Sequence, residues 1–109
     1  MTKQECYERE LARLSSVFTS FDRVTMYEEA NTWYKIAELH FDHGWHHQSM
    51  GCYFEAGNCY SKAIEAYDQV LVRYPKDERA EYGKISCLEA IKLIKSERLT
   101  SKPCSVILK

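Results

Sequence analysis

Apolar residues recur along this chain at alternating steps of three and four, which is the spacing of one face of an α-helix. In the first segment, that face consists of Tyr7, Leu11, Leu14, Phe18 and Phe21. Asp22-Arg23 then interrupts the pattern, and Thr25 with Glu28 three residues later forms a capping box for a second helix. The apolar face of that second helix consists of Trp33, Ala37, His40, Gly44 and His47.

The longest unbroken pattern lies in the third segment. Its apolar face consists of Tyr53, Ala56, Tyr60, Ala63, Tyr67, Val70 and Tyr74. Because the phase never breaks, we expect a single helix over 52–74, ended by Pro75. Asp77 can cap a fourth helix over about 78–98. The apolar side of this fourth helix consists of Ala80, Gly83, Cys87, Ala90, Ile91 and Ile94.

The sequence therefore predicts an all-α fold of about four helices. We expect a single helical domain over residues 1–98 and a short tail over 99–109. The run up to Pro103 breaks the fourth helix. The turn between the second and third helices falls at Ser49-Met50-Gly51, and the alternative is a turn at Gly44 followed by a loop over 45–51.

Composition and charge exclude several classes of function. A net charge of −1 and a pI near 6.4 argue against nucleic-acid binding, which needs clustered positive charge. We expect no membrane span, because no run of about 20 apolar residues occurs. The five cysteines are scattered, odd in number and without a CxxC pair, which favours reduced thiols in a cytoplasmic protein.

No pattern points to catalysis or to a cofactor. The four glycines are isolated, so there is no glycine-rich phosphate loop, and no histidine pairs with a nucleophilic cysteine in a recognisable motif. We therefore predict a protein that is not an enzyme and that holds no cofactor.

One cluster of residues has chemical promise as a metal site. His43 and His47 are four residues apart on a helix, so both imidazoles can reach one ion, and Cys52 or Glu55 could contribute from across the turn. The structural interpretation is that His40 and His47 are packed in the interior while His43 and His46 are solvated. HExxH and a second ligand pair at diagnostic spacing are absent, so we predict no metal and keep His43, His47 and Cys52 as the candidate ligands.

Residues 30–75 resemble a tetratricopeptide repeat. Trp33-x2-Ile36-Ala37-x2-His40 matches the first half of that family's pattern, Ala63-x3-Tyr67 matches the second half, and Pro75 closes it. The run from Ala56 to Ala63 is also similar to the variant repeats of soluble NSF attachment proteins. Trp33 and Ala63 are 30 residues apart instead of about 16, which implies a hairpin lengthened by roughly two turns in each helix.

The resemblance also implies which residues meet. If Ala37 faces Ala63, as the corresponding small residues do in the family, paired positions sum to 100. The pairs are then Trp33 with Tyr67, His40 with Tyr60, Gly44 with Ala56, and His47 with Tyr53. We expect small pairs to alternate with bulky layers, which permits a close approach of the two helices.

The resemblance implies a binding surface as well. The first-helix positions that line the groove of tetratricopeptide proteins correspond to Asn31, Tyr34, Lys35, Glu38, Phe41 and Asp42. Tyr34 and Glu38 stand at two positions of the Lys and Asn set that some members use to hold an acidic C-terminal tail, which argues against that ligand. Val24 to Val72 includes seven acidic and two basic residues, a net charge of −5, which favours a basic partner, although an ordinary solvated surface would have the same composition.

The function that these observations favour is protein–protein interaction. One hairpin with a flanking helix on each side leaves apolar surface, so we expect another protein or self-association to cover it. The leading hypothesis is a small adaptor or assembly subunit of a larger complex. The alternatives are a small chaperone or regulator of a secretion system that holds a client protein, and a metal-binding helical bundle built on the histidines.

Overall fold

The computed structural model of the chain describes residues 2–19 and 25–100, with side chains over 2–18 and 25–96. The helices are α1 (Lys3–Ser15), α2 (Met26–Ser49), α3 (Tyr53–Arg73) and α4 (Glu78–Thr100), and a 3-10 turn (Ser16–Thr19) follows α1. No strand occurs among the described residues, and the prediction of an all-α fold is confirmed. Phe21, the interruption at Asp22-Arg23 and residues 101–109 of the predicted tail lie outside the described residues.

The helix boundaries follow from capping residues. Thr25 accepts a hydrogen bond from the backbone N–H of Glu28 at 3.1 Å, and Asp77 accepts one from the backbone N–H of Ala80 at 3.1 Å. Each side chain satisfies a backbone donor that the first turn of a helix leaves without a partner. The predicted starts of α2 and α4 are confirmed, while α4 continues two residues beyond its predicted end at Arg98.

The turn between α2 and α3 lies at Met50, Gly51 and Cys52. Gly51 has a φ of +79°, and the backbone N–H groups of Gly51 and Cys52 donate to the carbonyls of Gln48 and His47. This is a Schellman motif, in which glycine adopts the left-handed conformation without the steric cost of a side chain. The alternative turn at Gly44 is wrong, because α2 runs through that residue without interruption.

The core lies between α2, α3 and α4. Tyr60, Ala56 and Ala63 of α3 are fully buried, as is Ala37 of α2, so the predicted apolar face of α3 is confirmed. Over residues 78–96 of α4, the buried side chains are Ala80, Cys87 and Ile94. An ion pair between Lys84 and Asp68 at 2.7 Å joins α4 to α3 at the edge of this core.

The aromatic layers meet one residue away from the predicted register. Tyr60 packs on Phe41 with ring centroids 5.4 Å apart, and Tyr67 packs edge-on against Tyr34 at 5.8 Å. Trp33, the predicted partner of Tyr67, instead stacks on Phe18 at 4.7 Å. The difference arises because α2 has two neighbours, so its apolar side chains divide between the segment that contains α1 and helix α3.

The helices pack in chain order into a flat molecule. α1 contacts α2, α2 contacts α3 and α3 contacts α4, with Cα extents of 54 × 34 × 14 Å for the described residues. Within the described part of the chain, every helix is too short or too polar to cross a membrane. The flat arrangement leaves one side of α2 and the outer side of α4 uncovered.

Candidate functional site

The residues that the sequence predicts as a binding surface lie together on one side of α2. We call this set, which consists of Asn31, Tyr34, Lys35, Glu38, Phe41 and Asp42, the α2 strip. Lys35, Glu38 and Asp42 are exposed, and the other three members are partly buried. Their spacing of three and four residues places them in two adjacent rows along the helix.

The two aromatic members of the α2 strip are fixed from below. Tyr34 rests against Tyr67, and Phe41 rests against the fully buried Tyr60, whose hydroxyl donates to Oε1 of Gln48 at 2.7 Å. Packing of this kind restricts the rotamers of the two rings before any ligand arrives, which lowers the entropic cost of binding.

The N-terminal end of the α2 strip meets α4. The guanidinium carbon of Arg79 lies 4.6 Å from the centroid of the Tyr34 ring, which is cation–π geometry. Beside it, Asn31 and Arg79 line a cleft of about 110 Å³, which also includes Tyr27, Ala30, Val70, Tyr74 and Asp77. A cleft of this kind can accept an anchoring side chain of a partner protein.

The hydroxyl groups of Tyr34, in the α2 strip, and of Tyr67, beneath it, remain neutral. Burial is the main cause that raises the pKa of Tyr67 and of Tyr34, and the negative charge of Glu38 raises both further. The side chains therefore combine uncharged aromatic rings with exposed carboxylates. This combination suits a ligand that has both apolar and cationic groups.

A second group of residues lies between α1, α2 and α3. One ligand atom of each of His43, His47 and Cys59 lies within 4.8 Å of the others, and we call these three residues the histidine cluster. The candidate Cys52 is not a member of this group, because it lies at the N-cap of α3 while Cys59 lies two turns further along the helix. The structure thus brings Cys59, and not the candidate Cys52, beside the two histidines.

α1 covers the histidine cluster. The ring of Tyr7 stacks on His43 with centroids 4.2 Å apart, and Nε2 of His43 lies 2.6 Å from Oε1 of Gln4. His43 and His46 are both partly buried, so the expectation that they are solvated is wrong. The predicted apolar face of α2 does not include these two residues, because it does not indicate which side of the helix α1 covers.

A cleft of about 230 Å³ adjoins the histidine cluster, and its lining includes Glu8, His40 and Lys62. Burial lowers the pKa of His40 from 6.5 to about 4, with smaller effects from the charges of Lys62 and His43. Burial also lowers the pKa of His43 and raises that of Cys59. At neutral pH, His40 and His43 are therefore neutral imidazoles, in which one of the two ring nitrogens has no proton.

The sequence patterns did not predict the closeness of His43 to Cys59 or the exposed apolar side of α4. His43 and Cys59 are each eight residues from Gly51, so a hairpin centred on that turn places them side by side, and this signal was available once the turn was fixed. The outer side of α4 exposes Tyr82, Ile85 and Leu88 by 71%, 49% and 47%. The sequence does indicate this exposed apolar side of α4, because apolar residues occur all around the helix and cannot all face the core.

Comparison of the chain with models of protein families, with curated proteins and with solved structures finds no match. The resemblance to tetratricopeptide repeats therefore stays a prediction that rests on the residues quoted above.

Proposed function

We propose that the protein is a non-enzymatic interaction module, an adaptor or assembly subunit, that binds a basic segment of another protein along the α2 strip. The observation that carries this proposal is the alternation of two packed aromatic rings, Tyr34 and Phe41, with the exposed carboxylates of Glu38 and Asp42. Aromatic anchors supply apolar contact area, while the carboxylates select for positive charge.

The charge distribution supports the same kind of partner. The segment from Val24 to Val72, which includes most of the hairpin, has a net charge of −5, whereas the whole chain has −1. A negative surface attracts a basic segment from a distance and accelerates its association, an effect that salt screens. The location itself comes from the resemblance to tetratricopeptide repeats, which assigns these six positions to a groove.

A charge-reversal experiment tests this proposal. The tagged wild-type chain, a Glu38→Lys/Asp42→Lys variant and a Glu55→Lys/Glu65→Lys variant are used to recover binding proteins from cell extract at low and at high salt. The second variant is the control, because it makes the same change in charge at exposed positions of α3.

We expect a protein that copurifies with the wild type and with the control at low salt. The same protein should be lost from the Glu38→Lys/Asp42→Lys variant and from all three samples at high salt. Equal recovery by both variants, or recovery that salt does not affect, would show that the α2 strip is not the binding surface.

A further inference from the structure

We propose that His43, His47 and Cys59 bind one zinc ion between α2 and α3. This site does not depend on the proposed binding function, because none of its three ligands belongs to the α2 strip. The thiol of Cys59 releases its proton to solvent as zinc binds. The resulting thiolate and the two imidazoles form a mixed nitrogen and sulfur ligand set, which is typical of zinc in proteins.

The backbone brings the three ligands together. His43 and His47 lie one turn apart on α2, and their Nε2 atoms are 3.0 Å from each other. Gly44 lies between them in the sequence, and a Cβ at that position would be 3.2 Å from Cβ of Cys59. The missing side chain is therefore what lets α3 approach closely enough for its cysteine to reach two histidines of α2.

Hydrogen bonding leaves the histidine cluster incompletely satisfied without a cation. Nε2 of His43 faces both Oε1 of Gln4 at 2.6 Å and Nε2 of His47 at 3.0 Å. Gln4 Nε2 donates to Glu8 at 3.1 Å, which fixes its oxygen toward the histidine. A proton on Nε2 of His43 has two acceptors to serve, whereas a proton on Nε2 of His47 leaves Oε1 of Gln4 facing a lone pair of His43.

His47 adds a second unsatisfied atom. Its buried Nδ1 has no hydrogen-bond partner among the described residues, whichever nitrogen of the ring holds the proton. Nε2 of His47 and Oε1 of Gln4 therefore both meet the single Nε2 of His43, and Nδ1 of His47 adds an unpartnered polar atom in the same ring. A divalent cation accepts lone pairs from all sides, and Gln4 Oε1 is an oxygen available for a fourth position.

The test measures metal content and the spectrum of a substitute ion. The wild type and the variants His43→Gln and Cys59→Ala are purified, stripped with a chelator and titrated with Zn²⁺ alone. In parallel they are titrated with Co²⁺, which shows a near-ultraviolet charge-transfer band when a thiolate binds it. His46→Gln and Cys52→Ala are the matched controls, and circular dichroism of each stripped protein establishes that it is folded.

We expect one zinc per chain, a higher melting temperature with zinc, and the thiolate band in the wild type and in both controls. Cys59→Ala should lose the band, and His43→Gln should lose stoichiometric zinc. If Cys59→Ala does not fold, the folded His43→Gln variant still decides. A wild type that binds less than stoichiometric zinc, zinc that persists in folded His43→Gln, or a band that disappears with Cys52 instead of Cys59 would overturn the proposal.

Discussion

Two glycines of this chain are positions where a single methyl group decides how closely two helices approach. A Cβ at Gly83 of α4 would lie 2.2 Å from the ring of Tyr67, and a Cβ at Gly44 would lie 3.0 Å from the ring of Tyr60. Both rings are buried in the core and cannot move aside without disturbing their neighbours. At these two positions, the steric cost of the added methyl group therefore outweighs the gain in helix propensity that alanine brings.

We expect Gly83→Ala to destabilise the protein by about 3 kcal/mol or more and Gly44→Ala by about 1–2 kcal/mol, because overpacking forces the ring or the helix to shift. Gly57→Ala is the control, since no atom lies within 4 Å of its added Cβ, and it should stabilise by about 0.5–1 kcal/mol. Urea unfolding followed by circular dichroism measures all three. A stabilised Gly83→Ala protein would show that α3 and α4 are not packed as described.

The burial of His40 predicts how the stability of the protein depends on pH. Its pKa is about 4 in the folded chain, below the ordinary value of 6.5, because burial disfavours the charged ring and the nearby Lys62 and His43 add positive charge, with Glu8 also lining the cleft. The unfolded state therefore binds a proton first as the pH falls. The effect of His40 is therefore to leave the free energy of unfolding unchanged above pH 6.5 and to lower it as the pH falls toward 4.

We expect the free energy of unfolding of the wild type, measured with a chelator present, to fall between pH 7 and 4 more steeply than that of His40→Gln. The difference should be on the order of 1–2 kcal/mol, allowing for the partial exposure of the ring. Parallel pH profiles for the two proteins would contradict the burial of a neutral His40.

The α2–α3 hairpin is the element that the sequence predicts best. The unbroken spacing from Tyr53 to Tyr74 and the glycine at the turn are local signals, and local signals suffice for helix limits. The register of the ring pairs could not be predicted as well, since it depends on the 3-10 turn after α1, whose Phe18 stacks on Trp33. Side chains with two possible neighbours are not assigned by periodicity.

Ala63 tests the closeness of that hairpin. It is fully buried, as is Ala37, its predicted partner on α2. Replacing it by leucine should destabilise the chain by about 1–3 kcal/mol, because the extra atoms have no space between the two helices. Ser61→Leu, on the exposed side of α3, should be nearly neutral. Similar melting temperatures for both variants would show that the helices are further apart than described.

At the scale of the whole molecule, surfaces are harder to predict than helices. The six positions of the α2 strip came from a family resemblance and do lie together, yet Cys59 required a fixed turn to be placed beside His43. The outer side of α4 required knowledge of which apolar residues α3 would cover. For Cys59 the spacing from Gly51 is a local signal that needed only a fixed turn, whereas long-range packing decided which apolar residues of α4 stay exposed.

The exposed apolar side chains of α4 predict self-association of the isolated chain. Tyr82, Ile85 and Leu88 are three residues apart and about half or more exposed, and such surface is usually covered by another molecule. We expect concentration-dependent association in sedimentation equilibrium and binding of the dye ANS. Both should decrease in Ile85→Lys/Leu88→Lys but not in Asn58→Lys/Ser61→Lys, which adds the same charge at exposed positions of α3. A wild type that stays monomeric and binds no dye would contradict this expectation.

The most direct test of the proposed function is photocrosslinking from within the α2 strip. A photoreactive phenylalanine analogue replaces Lys35, which is exposed in the α2 strip, or Ser61, which is exposed on α3. After irradiation in cells, the proposal predicts an adduct with another protein from position 35 and none from position 61. Mass spectrometry should locate that crosslink in a segment with more Lys and Arg than Asp and Glu. Adducts from position 61 alone, equal adducts from both positions, or a crosslinked segment that is acidic would contradict the proposal.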